Sequence, residues 1–300
     1  MNKEYYPGAE LIPQGQASDN ITEGCIVLEG GAWRGVYTNG ILDVLMKNDI
    51  NFRTVVGISA GGMCGVSYLT GQIGWAMKMD LEYRHDNNYC GLNAVLHEHG
   101  VTGFHYLYTD ISNAEGLDKK KLRETPRRLV VGATNMLTGE TEYFEKGKCN
   151  LSGAIRASAT VPYVSRPVVI KGIPYLDGGC SVKIPYPWAK EQSGEKKIMV
   201  VKTREWDYRR SEEPHKLAAK MYRKYPEFVK AIDNTNADFN RMTDEIYDDY
   251  QQGKIFAIAP SKEVEVSRFE SDLDKLADLY WLGYHDMEAR VDELKEYLAK

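Results

Sequence analysis

The sequence lacks any hydrophobic run long enough to cross a bilayer, since its apolar stretches are short. Its first twenty residues are polar and contain two prolines and two glycines, without the apolar core of a signal peptide. These two absences argue against a membrane-spanning or secreted protein. They predict a cytoplasmic location.

An excess of positive charge is also lacking. The chain has 38 Lys and Arg against 43 Asp and Glu, which gives a formal net charge of −5. Proteins that bind nucleic acids usually present a basic patch or a strongly basic domain. We therefore expect no nucleic-acid partner.

Paired cysteine motifs are absent as well. The five cysteines are scattered, odd in number and never spaced as C-x-x-C, which argues against a disulfide framework and a zinc site. His97 and His99 flank Glu98, but no further cluster of metal-ligand residues accompanies them. We expect neither a metal nor a cofactor.

The residues that are present are typical of a globular domain. Of 300 residues, 43% are hydrophobic and 27% are charged, enough for a large core. Short β-branched runs alternate with helical periodicity, which predicts an α/β protein with three layers and a mainly parallel central sheet. The predicted strands are 25–29, 52–56, 128–135, 141–144, 168–170, 173–176, 198–201 and 255–259. The predicted helices after residue 72 include 73–84, 152–159, 211–252 with a break near Pro226, and 271–298.

The most informative stretch joins a predicted strand to a predicted helix at residues 55–62. It contains Gly57-Ile58-Ser59-Ala60-Gly61, and the strand–turn–helix context is that of a nucleophile elbow. Gly57 and Gly61 leave room for neighbouring backbone, and Ser59 is held out at the end of the sheet. The alternative interpretation is an ordinary glycine-rich turn with a capping serine.

A second glycine-rich loop, residues 30–35, follows the first predicted core strand and precedes a helix. Backbone N–H groups that converge at a helix N-terminus favour an anion, either a phosphate or a transient oxyanion. Ala32 breaks the dinucleotide pattern G-x-G-x-x-G, and no G-K-[ST] follows. The loop is therefore predicted to supply oxyanion donors, the alternative being a tight structural turn.

Three further segments carry residues with a predicted role, either at the site or in the structure around it. Asp177 stands at a predicted strand end before two glycines, although Asp-Gly is also a common turn. Arg156 is a lone charge in a helix of small residues and is predicted to be structural, as a buried hydrogen-bond donor to a carbonyl or a carboxylate. Residues 86–116 have weak periodicity, and their aromatic residues Tyr89, Phe104, Tyr106 and Tyr108 have two interpretations. Together they would form a lid or an acyl-chain wall, whereas ordinary packing is the alternative for each one singly.

Taken in order, four motifs resemble the patatin-like phospholipase family over roughly residues 24–190: Gly30-Gly31-Ala32-Trp33-Arg34-Gly35, Gly57-Ile58-Ser59-Ala60-Gly61, Arg156-Ala157-Ser158-Ala159-Thr160-Val161-Pro162 and Asp177-Gly178-Gly179. The resemblance implies a Ser-Asp dyad in a three-layer α/β/α fold. Ser59 would be the nucleophile and Asp177 the base. The oxyanion motif would comprise Gly30, Gly31, Arg34 and Gly35, with Ala32 where many members have glycine.

The resemblance implies hydrolysis of carboxylic esters, with a lipid or a small ester as substrate and transient contact with a membrane surface. It divides the chain into a catalytic region, 24–190, and a C-terminal extension, 191–300, that completes or flanks the sheet. Two alternatives stay open. One is a Ser-Asp-His esterase that uses His215 or His285, and the other is a non-catalytic lipid-binding or regulatory protein.

Overall fold

The computed structural model describes residues 1–300. Its strands, β1 to β10, are Gly15–Gln16, Thr22–Leu28, Phe52–Ile58, Gln72–Ile73, Arg128–Asn135, Thr141–Glu145, Val168–Ile170, Ile173–Asp177, Ile198–Val201 and Phe256–Ile258. Its helices, α1 to α13, are Gly35–Lys47, Ala60–Thr70, Trp75–Tyr83, Leu92–Glu98, Phe104–Tyr106, Ser112–Ala114, Lys119–Glu124, Leu151–Ser158, Tyr186–Gln192, Lys216–Met221, Pro226–Gln251, Leu273–Glu288 and Val291–Ala299. A π-helical turn, Leu107–Ile111, joins α5 to α6, and 3-10 turns occupy Pro7–Leu11, Ala32–Arg34 and Gly178–Cys180.

The central sheet has eight strands in the order β10-β9-β2-β3-β5-β8-β7, with β6 beside β5. Strands β10, β9, β2, β3 and β5 run parallel to one another, whereas β6, β7 and β8 are antiparallel additions at one end. The prediction of a mainly parallel central sheet is confirmed.

Helices cover both faces of this sheet. Ile26 and Leu28 of β2 belong to a core of 41 buried residues that includes α1, α2 and α12. Cys25 and Val27, which alternate with them, belong to a core of 14 residues with α9 and α11 on the opposite face. Because successive side chains of a strand point to opposite faces, this division confirms the three-layer arrangement.

The loops that follow β2 and β3 lie at the same edge of the sheet, because the two strands are parallel neighbours. In open α/β sheets the crevice at the carboxyl ends of the strands is where ligands bind. Both glycine-rich loops of the sequence are therefore brought side by side by the strand order alone.

The prediction of one continuous helix over residues 271–298 is wrong. This stretch forms two helices, α12 and α13, with a break at Ala289 and Arg290. The Arg290 guanidinium donates to the Ala257 carbonyl at 2.9 Å and to the Tyr250 hydroxyl at 2.9 Å. These contacts hold Arg290, whose φ is −121°, outside helical geometry.

The C-terminal third contributes strands β9 and β10 to the central sheet. The division of the chain at residue 190 stays a prediction. None of the helices combines the length and the apolar character that crossing a bilayer would demand.

Candidate active site

Ser59 lies at the junction of β3 and α2 with φ 54° and ψ −123°, a backbone conformation that side-chain-bearing residues rarely adopt. The turn is tight because the elbow passes close to β2. A Cβ on Gly61 would lie 2.4 Å from the Leu28 carbonyl oxygen, and one on Gly57 would lie 2.5 Å from the Gly61 carbonyl carbon. Larger residues at either position would displace the turn that carries Ser59.

Strand β5 aligns the elbow with Asp177. On one edge of β5, Gly132 pairs with Ile58 of β3, and the next residue, Ala133, pairs with Asp177 of antiparallel β8. The other edge of β5 is occupied by β6 over the same residues, so β3 and β8 share one edge and meet end to end. The residues at the two strand ends, Ser59 and Asp177, consequently face each other.

The two side chains form a hydrogen bond. The Ser59 hydroxyl donates to Asp177 Oδ2 at 2.7 Å, and the Gly179 N–H donates to Asp177 Oδ1 at 2.7 Å. Burial raises the pKa of Asp177 above its usual value, while the hydrogen bonds from Ser59 and Gly179 and the charges of Arg268 and Lys183 oppose that shift. Burial thus makes this carboxylate a stronger base than an exposed aspartate.

Hydrogen bonds from outside the pair hold both backbones. The Ser59 N–H donates to the Ser158 hydroxyl at 2.8 Å, which in turn donates to the Gly132 carbonyl at 2.6 Å. The Asp177 N–H donates to the Thr160 carbonyl at 2.9 Å, and the Thr134 hydroxyl donates to the Asp177 carbonyl at 2.8 Å. Strained backbone persists only where its surroundings fix it, and Ser158 supplies that support at the elbow.

The glycine-rich loop presents free N–H groups beside Ser59. The N–H groups of Gly31, Ala32 and Ala60 have no hydrogen-bond acceptor in the protein, whereas that of Gly30 donates to the Lys183 carbonyl at 3.0 Å. Ala32 holds φ at 50°, in the left-handed region that favours glycine. Unpartnered N–H donors that converge from two loops are the arrangement that stabilises an oxyanion.

The N–H groups of Arg34 and Gly35 donate to loop carbonyls instead, from Arg34 to Gly31 and from Gly35 to Ala32 and Trp33. Of the five residues that the sequence assigned to the oxyanion motif, two therefore retain free N–H groups. Arg34 itself is buried, with Nη1 3.5 Å from the Val266 carbonyl.

An apolar cavity of about 320 Å³ opens at Ser59. Trp33, Met63 and Trp75 line it, together with Tyr89, Phe104 and Tyr108 from the segment 86–116. Tyr106 does not line it, since its hydroxyl donates to Asp86 at 2.8 Å. Three of the four aromatic residues suggested for an acyl-chain wall thus lie at the cavity.

Comparison with protein families addresses the resemblance directly. The model described as "Patatin-like phospholipase" matches residues 26–188, more than half of the chain. The chain belongs to the patatin-like phospholipase family. A second model, described as a domain of unknown function (DUF6363), matches residues 225–299.

Two curated relatives match part of this patatin-like chain. The uncharacterized protein YjjU of Escherichia coli K12 is 29% identical over 183 residues, which cover 59% of this chain and 51% of YjjU. The uncharacterized protein R571 of Acanthamoeba polyphaga mimivirus is 24% identical over 176 residues, which cover 53% of this chain and 59% of R571. The chain thus spans about half the length of the curated relatives it matches.

Among solved structures, VipD from Legionella pneumophila superposes with a TM-score of 0.45 at 13% identity. The match covers 94% of this chain and 70% of VipD. A likeness at this level says nothing about the site.

Other candidates from the sequence lie outside this patatin-like site. His215 lies 3.9 Å from Asp233, and exposed His285 lies 3.4 Å from Glu288; neither histidine lines the cavity at Ser59. Glu98, between His97 and His99, accepts the N–H groups of the helix start after Gly103. Arg156 donates to the Glu98 carbonyl at 3.1 Å, which is one of the two kinds of acceptor that the sequence left open.

Sequence reasoning missed several residues that the fold brings close to Ser59 and Asp177. Ser158 lies within the third motif of the resemblance but received no role. Lys183, Arg210 and Arg268 line a second cavity at Ser59, and nothing in their local sequence marks them. Their approach to Ser59 depends on long-range packing.

Proposed function

We propose that this patatin-like chain is a serine hydrolase that cleaves carboxylic esters of lipids through a Ser59–Asp177 dyad. The observation that carries the proposal is the 2.7 Å hydrogen bond from the Ser59 hydroxyl to Asp177 Oδ2, at the mouth of an apolar cavity. Membership of the family and the free N–H groups beside Ser59 support it.

In the proposed acylation, Asp177 Oδ2 accepts the Ser59 proton while Ser59 Oγ bonds to the ester carbonyl carbon. The carbonyl oxygen becomes an oxyanion and accepts hydrogen bonds from N–H groups of Gly31, Ala32 and Ala60. Collapse of this intermediate breaks the bond to the alcohol oxygen, which takes the proton back from Asp177. The alcohol leaves, and the acyl group stays on Ser59.

Deacylation uses the same groups. Water transfers a proton to Asp177 while the water oxygen bonds to the acyl carbon of the intermediate. The new oxyanion accepts the same hydrogen bonds. When the bond to Ser59 Oγ breaks, Ser59 recovers the proton and the carboxylic acid is released. Each oxyanion donor in such a site contributes on the order of 10²–10³-fold to kcat.

The apolar cavity suits an acyl chain. It is lined mostly by hydrophobic side chains and reaches from Ser59 to the segment that carries Phe104. Burial of methylene groups there favours binding by about 0.8 kcal/mol for each group. A lipid acyl group therefore gains more from this cavity than a short ester does.

We further propose transient contact with a lipid surface through the exposed apolar side of α4. Leu92 and Leu96 are 67% and 60% exposed, and Val95, which lines the cavity, is 40% exposed. These residues are spaced i, i+3 and i+4, and exposed Phe269 lies at the same cavity. An L92S/L96S variant is expected to bind phosphatidylcholine vesicles more weakly; unchanged sedimentation with vesicles would contradict the contact.

The proposed setting is the cytoplasm, with no nucleic-acid partner. The test of function uses the purified full chain, a fluorophosphonate probe and a panel of esters and phospholipids. We expect probe labelling and hydrolysis in the wild type and loss of both in Ser59→Ala. Asp177→Asn should lose kcat by orders of magnitude with little change in KM.

His215→Ala and His285→Ala are the matched controls and should keep most of the activity. Substantial turnover by Asp177→Asn beside an inactive histidine variant would replace the dyad with a Ser-Asp-His triad. A wild type that binds lipid but neither reacts with the probe nor hydrolyses any ester would be a non-catalytic lipid-binding protein.

A further inference from the structure

The apolar cavity at Ser59 contains one carboxyl group in its wall. Most residues that line the cavity are hydrophobic, but Asp80 of α3 also lines it. Asp80 is partly accessible, and no lysine, arginine or histidine nitrogen lies within 4.0 Å of its carboxylate oxygens. A carboxyl group that faces only hydrocarbon loses its hydration without compensation. Its place in this wall therefore indicates a ligand with a polar group.

The hydrogen bonds that Asp80 receives from the protein are long. The Tyr89 hydroxyl donates to Asp80 Oδ1 at 3.2 Å, and the Asn39 amide donates to Asp80 Oδ2 at 3.4 Å. By contrast, Asp43, a buried carboxylate on α1, accepts the Tyr280 hydroxyl at 2.7 Å. A carboxylate has about four acceptor sites on its two oxygens. Asp80 thus keeps capacity for a further donor.

Two other polar groups beside Asp80 also lack partners. Asn39 is 5% exposed and lines the cavity, and its Oδ1 has no hydrogen-bond donor in the protein. Tyr108 lines the cavity as well, and its hydroxyl makes no hydrogen bond with another side chain. Burial and Cys64 raise the pKa of Tyr108, and the charge of Asp80 adds to this shift, which places the two groups near each other. Buried polar groups without partners are costly, so Asn39, Asp80 and Tyr108 form a polar site that a ligand can satisfy.

The polar site lies along the cavity, away from the reacting bond. Helix α1 begins at Gly35, beside the oxyanion loop, and Asn39 follows four residues later, a rise of about 6 Å. On α2, Met63 and Ser67 line the same cavity after Ser59, over a rise of about 12 Å. The cavity therefore follows the two helices, and its polar site is displaced from Ser59 on the side that would hold the acyl chain.

The charges around Asp80 favour a neutral hydrogen-bonding group over a cation. Arg84 lines the same cavity, and its guanidinium lies 4.6 Å from the Trp33 ring centre. Burial raises the pKa of Asp80 to about 7, while the hydrogen bond from Tyr89 and the charge of Arg84 oppose the shift. Because Arg84 already supplies a positive charge, a second cation would be repelled. A hydroxyl group can both donate to Asp80 and accept from Tyr108.

We propose that Asp80, Asn39 and Tyr108 bind a hydroxyl group carried on the acyl chain of the substrate. The proposal rests on the proposed function, because it places the acyl chain in the apolar cavity and the ester carbonyl at Ser59. The ligand hydroxyl donates to the Asp80 carboxylate and accepts from the Tyr108 hydroxyl, while Asn39 holds the carboxylate. A site of this kind rejects an unsubstituted chain, since its buried polar groups would then stay unpaired.

The test compares 4-nitrophenyl decanoate with the 4-nitrophenyl esters of decanoic acids that carry one hydroxyl group at successive positions in the distal half of the chain. The preference is the ratio of kcat/KM on a hydroxylated ester to kcat/KM on the unsubstituted ester. We expect the wild type to prefer at least one hydroxylated ester by about tenfold or more, mainly through KM.

Asp80→Leu replaces the carboxyl group by an apolar side chain of similar size. It should lower kcat/KM on the hydroxylated ester and raise kcat/KM on the unsubstituted ester, whereas a merely structural role of Asp80 would lower both alike. Tyr108→Phe is a second variant, which removes only a hydroxyl group and should reduce the preference. Glu82→Gln is the matched control, because Glu82 lies on the same helix but pairs with Lys3 at 3.0 Å and does not line the cavity.

Three results of the ester assay would overturn the proposal. Equal use of the unsubstituted ester and every hydroxylated ester by the wild type would remove the hydroxyl site. A preference that survives in both Asp80→Leu and Tyr108→Phe would place the selective contact elsewhere. A stronger preference for an ester with an amino group in place of the hydroxyl would overturn the choice of a neutral group.

Calorimetry with the free acids separates this proposal from the proposed function, since it needs no hydrolysis. Tighter binding of a hydroxydecanoic acid than of decanoic acid by the wild type and Glu82→Gln, lost in Asp80→Leu, would support the polar site. If no ester were hydrolysed, that result would leave the site standing while the proposed function fell. Equal binding of the two kinds of acid by the wild type would refute the polar site.

Discussion

Replacement of Ser158 by alanine tests whether the strained elbow is held from outside. Ser158 is fully buried, accepts the Ser59 N–H at 2.8 Å and donates to the Gly132 carbonyl at 2.6 Å. Its hydroxyl thus links the backbone of Ser59 directly to strand β5. Ser158→Ala removes that link and leaves the volume of the helix nearly unchanged.

The expected effect on stability follows from the two groups left without partners. Both Ser59 and Gly132 are buried, and a buried polar group without a partner costs about 1–3 kcal/mol. We expect the free energy of unfolding to fall by about 2–6 kcal/mol for the two groups together. The strained conformation of Ser59, which itself costs about 1–3 kcal/mol, would then relax and move Oγ away from Asp177.

The expected effect on activity is larger than a stability loss alone would give. Misplacement of a reacting group by about 1 Å can reduce the rate by about a hundredfold. We expect kcat to fall by about tenfold to a hundredfold with little change in KM. The measurements are ester hydrolysis and the rate of fluorophosphonate labelling, at a temperature where the variant stays folded.

Ser193→Ala is the matched control. Ser193 is 5% exposed, donates to the Ala189 carbonyl at 2.5 Å and accepts the Glu195 N–H at 3.1 Å, away from the dyad. It should lose similar stability and keep kcat. If both variants lose stability equally and neither loses kcat, Ser158 does not position the nucleophile and the reasoning is refuted.

Three further predictions concern the loop and the pH dependence. Ala32 has a positive φ, a backbone conformation that costs alanine roughly 1 kcal/mol. Ala32→Gly removes this strain and keeps the N–H, so the variant should unfold at the same or a higher temperature and retain its activity. A large loss of kcat would show that the methyl group is needed. Gly31→Val should lose activity, because its Cβ would lie 2.7 Å from Thr203 Oγ1; full activity would remove this loop from the site. Asp177 accepts a proton only when it is ionised, and burial raises its pKa. We therefore expect kcat/KM to rise with pH, with a midpoint above the pKa of an exposed aspartate. A pH profile that is flat through the acid range would contradict the role of Asp177 as the base.

Local sequence was sufficient for most elements of the fold. The β-branched runs and helical periodicities predicted the core strands, and the glycine-rich stretches predicted both loops, because these patterns report burial and backbone freedom over a few residues. The break at Arg290 was not predictable in the same way. It arises from contacts with Ala257 and Tyr250, which are distant in sequence.

The sequence by itself determined which residues are candidates for the dyad, since Ser59 and Asp177 each stand in a recognisable turn at the end of a strand. Only the tertiary structure decided that they meet, because β3 and antiparallel β8 end opposite consecutive residues of β5. The positions of Lys183, Arg210 and Arg268 depend even more on the tertiary structure. A cation has no local sequence pattern that predicts its neighbours in the fold, and the place of these three beside Ser59 is set by the packing of segments far apart in the chain.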